Sequence, residues 1–352
     1  MHMRKRKEKQ KSIWYTITHI SRLDKKEYVR LVRRIMLFII IGFVASFLVF
    51  FGIAWFGGIS KVLDIIATAN LYVYALAFLS VFAGYLLRFV KWNYYLKKLG
   101  LKVPLKKNLI VYLSLYSMNI TPGKVGRVLV AYTLNRVTKK KTTNLLPVVM
   151  LDIFTDFIGV GTLALIAAIY FHTYVLYIIA IDIVLMIPFL FLVSDWFYNI
   201  VKRLIRSEHV LKLFTLYGDE YFASQSTLNK PRVYAVSLAV SLPAAFLNAM
   251  ALYFALIAIG FAPHIAGSAF IESSSMILGM VTAVPGNIGV TDGALVAFIG
   301  SAFHASSAIS SAVTIMTRLA TLWFGVILGG VLLIYSMRYW NTGAHRRKRH
   351  AA

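Results

Sequence analysis

Long apolar stretches separated by short basic segments set the pattern of this chain. A membrane-crossing helix needs about 20 mostly apolar residues. Six stretches qualify: Ile35–Phe56, Leu71–Phe89, Leu145–Phe171, Tyr174–Val193, Val233–Phe261 and Ser306–Met337. Two others are irregular. Asn108–Ile120 is short and runs into Thr121-Pro122-Gly123, and Ile265–Val284 runs into Pro285-Gly286. An apolar run of about 10–14 residues is more often re-entrant than spanning. The pattern predicts an all-α polytopic integral membrane protein of six spans plus two opposed re-entrant hairpins.

Composition supports that class. The 352 residues are 59% hydrophobic and only 14% charged, against roughly 45–50% and 25% in a soluble domain. With no cysteine, disulfides, thiol nucleophiles and Cys-ligated metals are excluded. The formal charge of +25 suits nucleic acid or a cationic cytosolic face. Its placement favours the face, because no folded nucleic-acid reader is present. Lys and Arg number twelve in residues 1–34, seven in Arg88–Lys107, six in Lys124–Lys141, six in Lys202–Arg232 and five in 338–352. Only Lys61 and Arg318 fall outside these groups. Counted as cytosolic, they put both termini inside a cell membrane and require segment 108–120 to turn back, with Val125–Val137 as its returning arm. Residues 261–317 hold no Lys or Arg and read as the outer side. The basic segment 1–34 suits anionic lipid, and Trp14–Ile20 within it reads as an interfacial helix.

The two turns share a signature. One reads Thr121-Pro122-Gly123-Lys124-Val125-Gly126 and the other Val284-Pro285-Gly286-Asn287-Ile288-Gly289. Each lies between two apolar arms flanked by full spans, so residues of about 71–171 and about 233–337 read as an inverted repeat. This membrane domain, 35–337, sits between the basic segments 1–34 and 338–352. Irregular backbone at membrane depth is tolerated only where protein or a wet cavity covers it. The two turns are therefore expected to meet around such a cavity. The returning helix of each would offer free N–H groups to an anion, with Lys124 and Arg127 beside the first.

Intramembrane ionisable residues are functional candidates by default. Arg318 lies ~18 Å along its span at about 1.5 Å per residue. It reads either as an ion-pair partner of Asp152, Asp156 or Asp292, or as a ligand for phosphate, which guanidinium binds in two-pronged fashion. Asp152 and Asp156 share a helix face and repel unless one is protonated or a cation sits between them. Asp292 suits the first turn of its helix. Glu272 is placed to pair with Arg318 or carry a proton. Asp182 reads as a satisfied polar contact. The eight histidines show no ligand spacing; His172, His264 and His304 read as interfacial. Neither a metal nor a cofactor is expected.

These motifs resemble the flippase-like membrane family typified by the transmembrane region of lysylphosphatidylglycerol synthase. The resemblance covers roughly 35–337 and is carried by Asn119–Gly126, Pro285–Asp292 and Thr317–Trp323. Where the family's first motif continues with Glu, this chain has Arg127. In the second motif Asn287 replaces a Gly while Asp292 keeps the acid, and the late arginine is kept as Arg318. The resemblance implies translocation of an anionic phospholipid or polyprenyl-phosphate lipid between leaflets. The soluble aminoacyl transferase domain of the synthases is not expected here. A membrane-embedded transferase, with Asp152 or Asp156 as base, and a structural subunit of a membrane enzyme are the rival readings.

Overall fold

Asn, Pro and Gly set where the apolar runs begin and end as helices. In the computed structural model, the described residues are 25–121, 127–138, 140–171, 220–282 and 284–349, with positions 176, 179, 180, 183 and 203. Helices α1 (Lys25–Gly57) and α2 (Ile59–Ala67) precede α3 (Leu71–Lys98), whose start is capped by Asn70 accepting from the Tyr72 and Val73 amides. After α3 come α4 (Leu105–Ser114), a tight 3₁₀ segment (Leu115–Ile120), α5 (Val128–Thr138) and α6 (Thr142–Phe171). Following α7 (Pro231–Ala258), the order recurs: α8 (Ile265–Val281), a 3₁₀ turn (Pro285–Asn287), α9 (Val290–Phe303) and α10 (Ser307–Arg318). A π-turn (Leu319–Trp323) joins α10 to α11 (Phe324–Arg349).

Twice, then, the chain runs long helix, two short helices, long helix. Even the first connections match. Gly100 and Gly260 both take positive φ, at 69° and 78°. Behind them the Leu101 and Phe261 amides each reach back to a carbonyl five residues earlier, Leu96 and Leu256. Glycine ends a helix this way because it enters the left-handed region without a Cβ clash.

Packing between the halves is reciprocal. Helix α3 lies along α7. The first half's α4 and 3₁₀ segment pack on α11 of the second, while the second half's α8 packs on α6 of the first. The approach to α11 is close, since a Cβ at Gly329 would collide with the Ser117 amide nitrogen. Small residues let membrane helices come together in this way. Helices α8 and α9 also pack on each other, as the arms of a hairpin would.

Among the described residues, six helices are long and apolar enough to cross a membrane. Five match expected spans: Ile39–Gly57, Leu71–Lys98, Thr142–Tyr170, Pro231–Ala258 and Ser307–Ser336. The sixth is Pro285–Phe303, assigned from sequence to the returning arm of the second hairpin. The expected span Tyr174–Val193, with Asp182, lies almost wholly outside the described residues. So do Trp14–Ile20, His172 and the first turn's Pro122, Gly123, Lys124 and Gly126. Helix α1 is peripheral: only 11% of its apolar window is buried, and Phe47, Leu48, Trp55 and Phe56 face outward. Near the end of the first half, Glu220 accepts from Lys141 and Thr143. Those two donors hold its carboxyl below the usual range.

Candidate functional site

Among the described residues, most buried charge collects in two ion-pair groups, one per half. The first is built on α3. Arg88, Lys91, Trp92 and Tyr95 are all buried, and their three- and four-residue spacings place them on one helix face. Opposite them stand Asp152 and Asp156 of α6. The Lys91 ammonium is fully buried between the carboxylates, 3.3 Å from Asp152 Oδ1 and 2.7 Å from Asp156 Oδ1. It also donates to the hydroxyls of Thr155 and Ser241, each at 2.9 Å. Arg88 Nε lies 3.3 Å from Asp156, and Arg127 Nη1 lies 3.9 Å from Asp152. The cation demanded by two carboxylates on one face is thus Lys91.

That finding corrects the sequence picture. Arg88, Lys91 and Arg127 were counted with the cytosolic basic segments, yet all three are buried and bound to acids. The neighbouring Lys97, Lys98, Lys102, Lys106 and Lys107 are exposed, so the basic bias of that segment stands on them.

The second group is built on the Pro285 turn. Gly286 and Asn287 take φ of 63° and 55°, and Gly289 takes 86°. A run of left-handed residues reverses the chain, and Gly and Asn tolerate that conformation best. Arg318 reads the turn directly. Its Nη2 donates to the Gly286 carbonyl at 2.8 Å and its Nε to Asp292 Oδ1 at 2.8 Å. The other Asp292 oxygen accepts from the Gly289 amide at 2.6 Å. The start of α9 is therefore partly filled by its own Asp292, where free amides for an anion were expected. The π-turn begins at the residue after Arg318, and such bulges are frequent at functional sites.

The two pairs are mirror images in charge. In the first half a basic residue at the start of α5, Arg127, faces an acid of the next long helix. In the second half an acid in the first turn of α9, Asp292, faces a basic residue of the next long helix. Arg127 is further held by Asn119, whose Oδ1 accepts from Nε and Nη2 at 2.9 and 2.7 Å. It also lies 5.7 Å from the Tyr116 ring centre. Thr121 is buried, its hydroxyl donating to the Met118 carbonyl.

Between the groups the two halves meet. Segment Leu115–Ile120 touches Pro285–Asn287, and Ile120, Ile288, Leu322 and Trp323 form a small apolar cluster there. Beside it is a cavity of about 90 Å³. From the first half it is lined by Arg88, Asn119, Arg127 and Asp156, and from the second by Asn248, Glu272, Asn287 and Arg318. Val160, Leu163, Met276 and Leu322 supply an apolar wall. Glu272 does not pair with Arg318 within ion-pair distance. It accepts from Asn248 Nδ2 at 3.4 Å, and its other oxygen has no hydrogen-bond partner among the described residues.

Comparisons with known proteins agree with this architecture. A weak likeness, 22% identical over 309 residues, links the chain to the UPF0104 membrane protein PH1989 of Pyrococcus horikoshii, covering 80% of this chain and 92% of that protein. The model of the lysylphosphatidylglycerol synthase TM region matches residues 39–329. With most of its length matched, this chain belongs to the family of the lysylphosphatidylglycerol synthase TM region.

Proposed function

We propose that the protein moves an anionic, phosphate-bearing lipid between membrane leaflets, with the headgroup phosphate held in the cavity beside the Pro285 turn, where the two halves meet. The observation that carries this is the lining: three guanidiniums, Arg88, Arg127 and Arg318, converge on one small polar space with an apolar wall. Its volume of about 90 Å³ is well below the roughly 300–1,000 Å³ of a pocket that encloses a drug-sized ligand. That suits a phosphate group rather than a whole lipid, so the acyl tails stay outside in the bilayer. Guanidinium offers planar, paired donors to phosphate. Arg88 is the most available of the three, since its Nε has only the 3.3 Å contact with Asp156. The family's tie to a phospholipid-linked synthase supports the lipid class.

The test is reconstitution in phosphatidylcholine vesicles carrying acyl-labelled phosphatidylglycerol or acyl-labelled phosphatidylcholine, with dithionite bleaching of the outer leaflet. Wild type is expected to transfer the anionic lipid faster than the zwitterionic one. Losing a hydrogen bond to a charged group costs about 1.5–3 kcal/mol, so Arg88→Gln should slow that transfer about tenfold or more. No transfer, or equal transfer of both lipids, would sink the reading. Recovery of a chemically altered lipid would point to a transferase.

Alternating access in this reading uses re-entrant hairpins at 105–138 and 265–303, opposed across the membrane in an inverted repeat, with cytosolic termini in the cell membrane. The repeated helix order and reciprocal packing support that arrangement. Lys140 is exposed between α5 and α6. In this cysteine-free chain, Lys140→Cys should react with an impermeant maleimide only from the cytosolic side of inside-out vesicles. Labelling from the outside of intact cells would overturn the hairpin.

A further inference from the structure

We propose that Glu272 takes up one proton each time an anionic phosphodiester headgroup occupies the cavity, so that lipid and proton enter together. This rests on the headgroup reading above and adds the coupling ion. Across the two ion-pair groups the described residues supply four cations, Arg88, Lys91, Arg127 and Arg318, and three acids, Asp152, Asp156 and Asp292. Each of those acids lies within 4.0 Å of a cation. Glu272 is the acid left over. It is 2% exposed, lines the same cavity, and has one carboxylate oxygen without a hydrogen-bond partner.

Charge balance then gives it a task. With Glu272 ionised the set is neutral, and an added phosphodiester would leave a net negative charge in a low-dielectric interior, which is costly. With Glu272 protonated the set carries one positive charge, and a monoanionic headgroup neutralises it. The proton comes from water, binds a carboxylate oxygen, and turns an acceptor into an O–H donor for a phosphate oxygen. On release the same proton returns to water on the other side.

The neighbours of Glu272 are consistent with one labile proton at this place. Its helix α8 packs on α6, α7, α9 and the Pro285 turn. Helix α6 brings Asp156 to the cavity and α9 carries Asp292, while α7 presents the neutral amide of Asn248. Arg318, Arg88 and Arg127 line the same cavity. Asp156 and Asp292 are already committed to Lys91 and Arg318.

The experiment is calorimetric titration of the purified full-length chain with dihexanoyl phosphatidylglycerol in buffers of different ionisation enthalpy. Wild type is expected to take up about one proton per lipid, and its affinity to fall about tenfold per pH unit once Glu272 ionises. Glu272→Gln keeps the size and the amide contact with Asn248. It should bind with no proton uptake and an affinity that no longer varies with pH. Lipid binding without proton uptake in wild type, or unchanged uptake in Glu272→Gln, would overturn the proposal and leave the headgroup reading standing. Absence of binding in wild type at every pH would remove both.

Discussion

Lys91→Ala is expected to be the most destabilising single substitution in the described part of the chain. The ammonium is fully buried and lies within 3.3 Å of both Asp152 and Asp156. Without it, two carboxylates one helical turn apart face each other, with only Arg88 and the more distant Arg127 to balance them. Breaking a buried pair from one side costs about 3–5 kcal/mol, because the remaining charge stays uncompensated. Thermal unfolding in detergent, followed by tryptophan fluorescence, should show a large loss of stability. The charge account makes a second demand. Neutralising one carboxylate as well, in Lys91→Met with Asp152→Asn, should recover at least half of that loss. A single variant within about 1 kcal/mol of wild type, well short of the buried-pair cost, would show that the three-way pairing contributes little.

Arg318→Ala should abolish leaflet transfer and lower stability together. The guanidinium does two jobs: it pairs with Asp292 and it holds the Gly286 carbonyl, both at 2.8 Å. Its removal leaves Asp292 buried with the Gly289 amide as its remaining hydrogen-bonded partner, again a loss of about 3–5 kcal/mol. Arg318→Lys separates the two jobs. An ammonium keeps the charge but cannot span a carboxylate and a carbonyl in one plane. The lysine variant is therefore expected to recover most of the stability while labelled phosphatidylglycerol transfer stays at least tenfold slow. Transfer restored by lysine would mean that charge alone matters at this position and that the shape of the turn does not.

Much of this was legible in the residues, and what was not has a physical reason. Apolar runs located five of the six long helices, because length and hydropathy are what a membrane selects. The second Pro-Gly turn pointed to the cavity, which Gly286 and Asn287 line, while the first lies outside the described residues. The rarity of buried charge marked Arg318 as a partner of Asp152, Asp156 or Asp292, and the structure chooses Asp292. Arg88 and Lys91 were missed because basic residues at the end of an apolar run are counted with its flanking basic segment, whereas α3 continues to Lys98. Their signal lay in spacing: basic residues three apart on one helix, acids four apart on another, with Trp92 and Tyr95 continuing the buried face. The start of α9 was misjudged for a different reason. A motif shows where amides point, but not that a side chain three residues on has turned back to occupy them.

The reciprocal packing of the halves has a consequence for biosynthesis. The chain emerges from the ribosome N-terminus first, yet α4 and the 3₁₀ segment of the first half bury themselves against α11, which is made long after them. During translation of the intervening residues that early segment has its contacts with α1, α3 and α5 but lacks the face of α11 that covers it in the finished fold. The newborn protein must keep that uncovered face in lipid or under a membrane chaperone until α11 arrives. Truncations that remove α11 should accordingly be cleared by quality-control proteases rather than accumulate as a stable half-molecule.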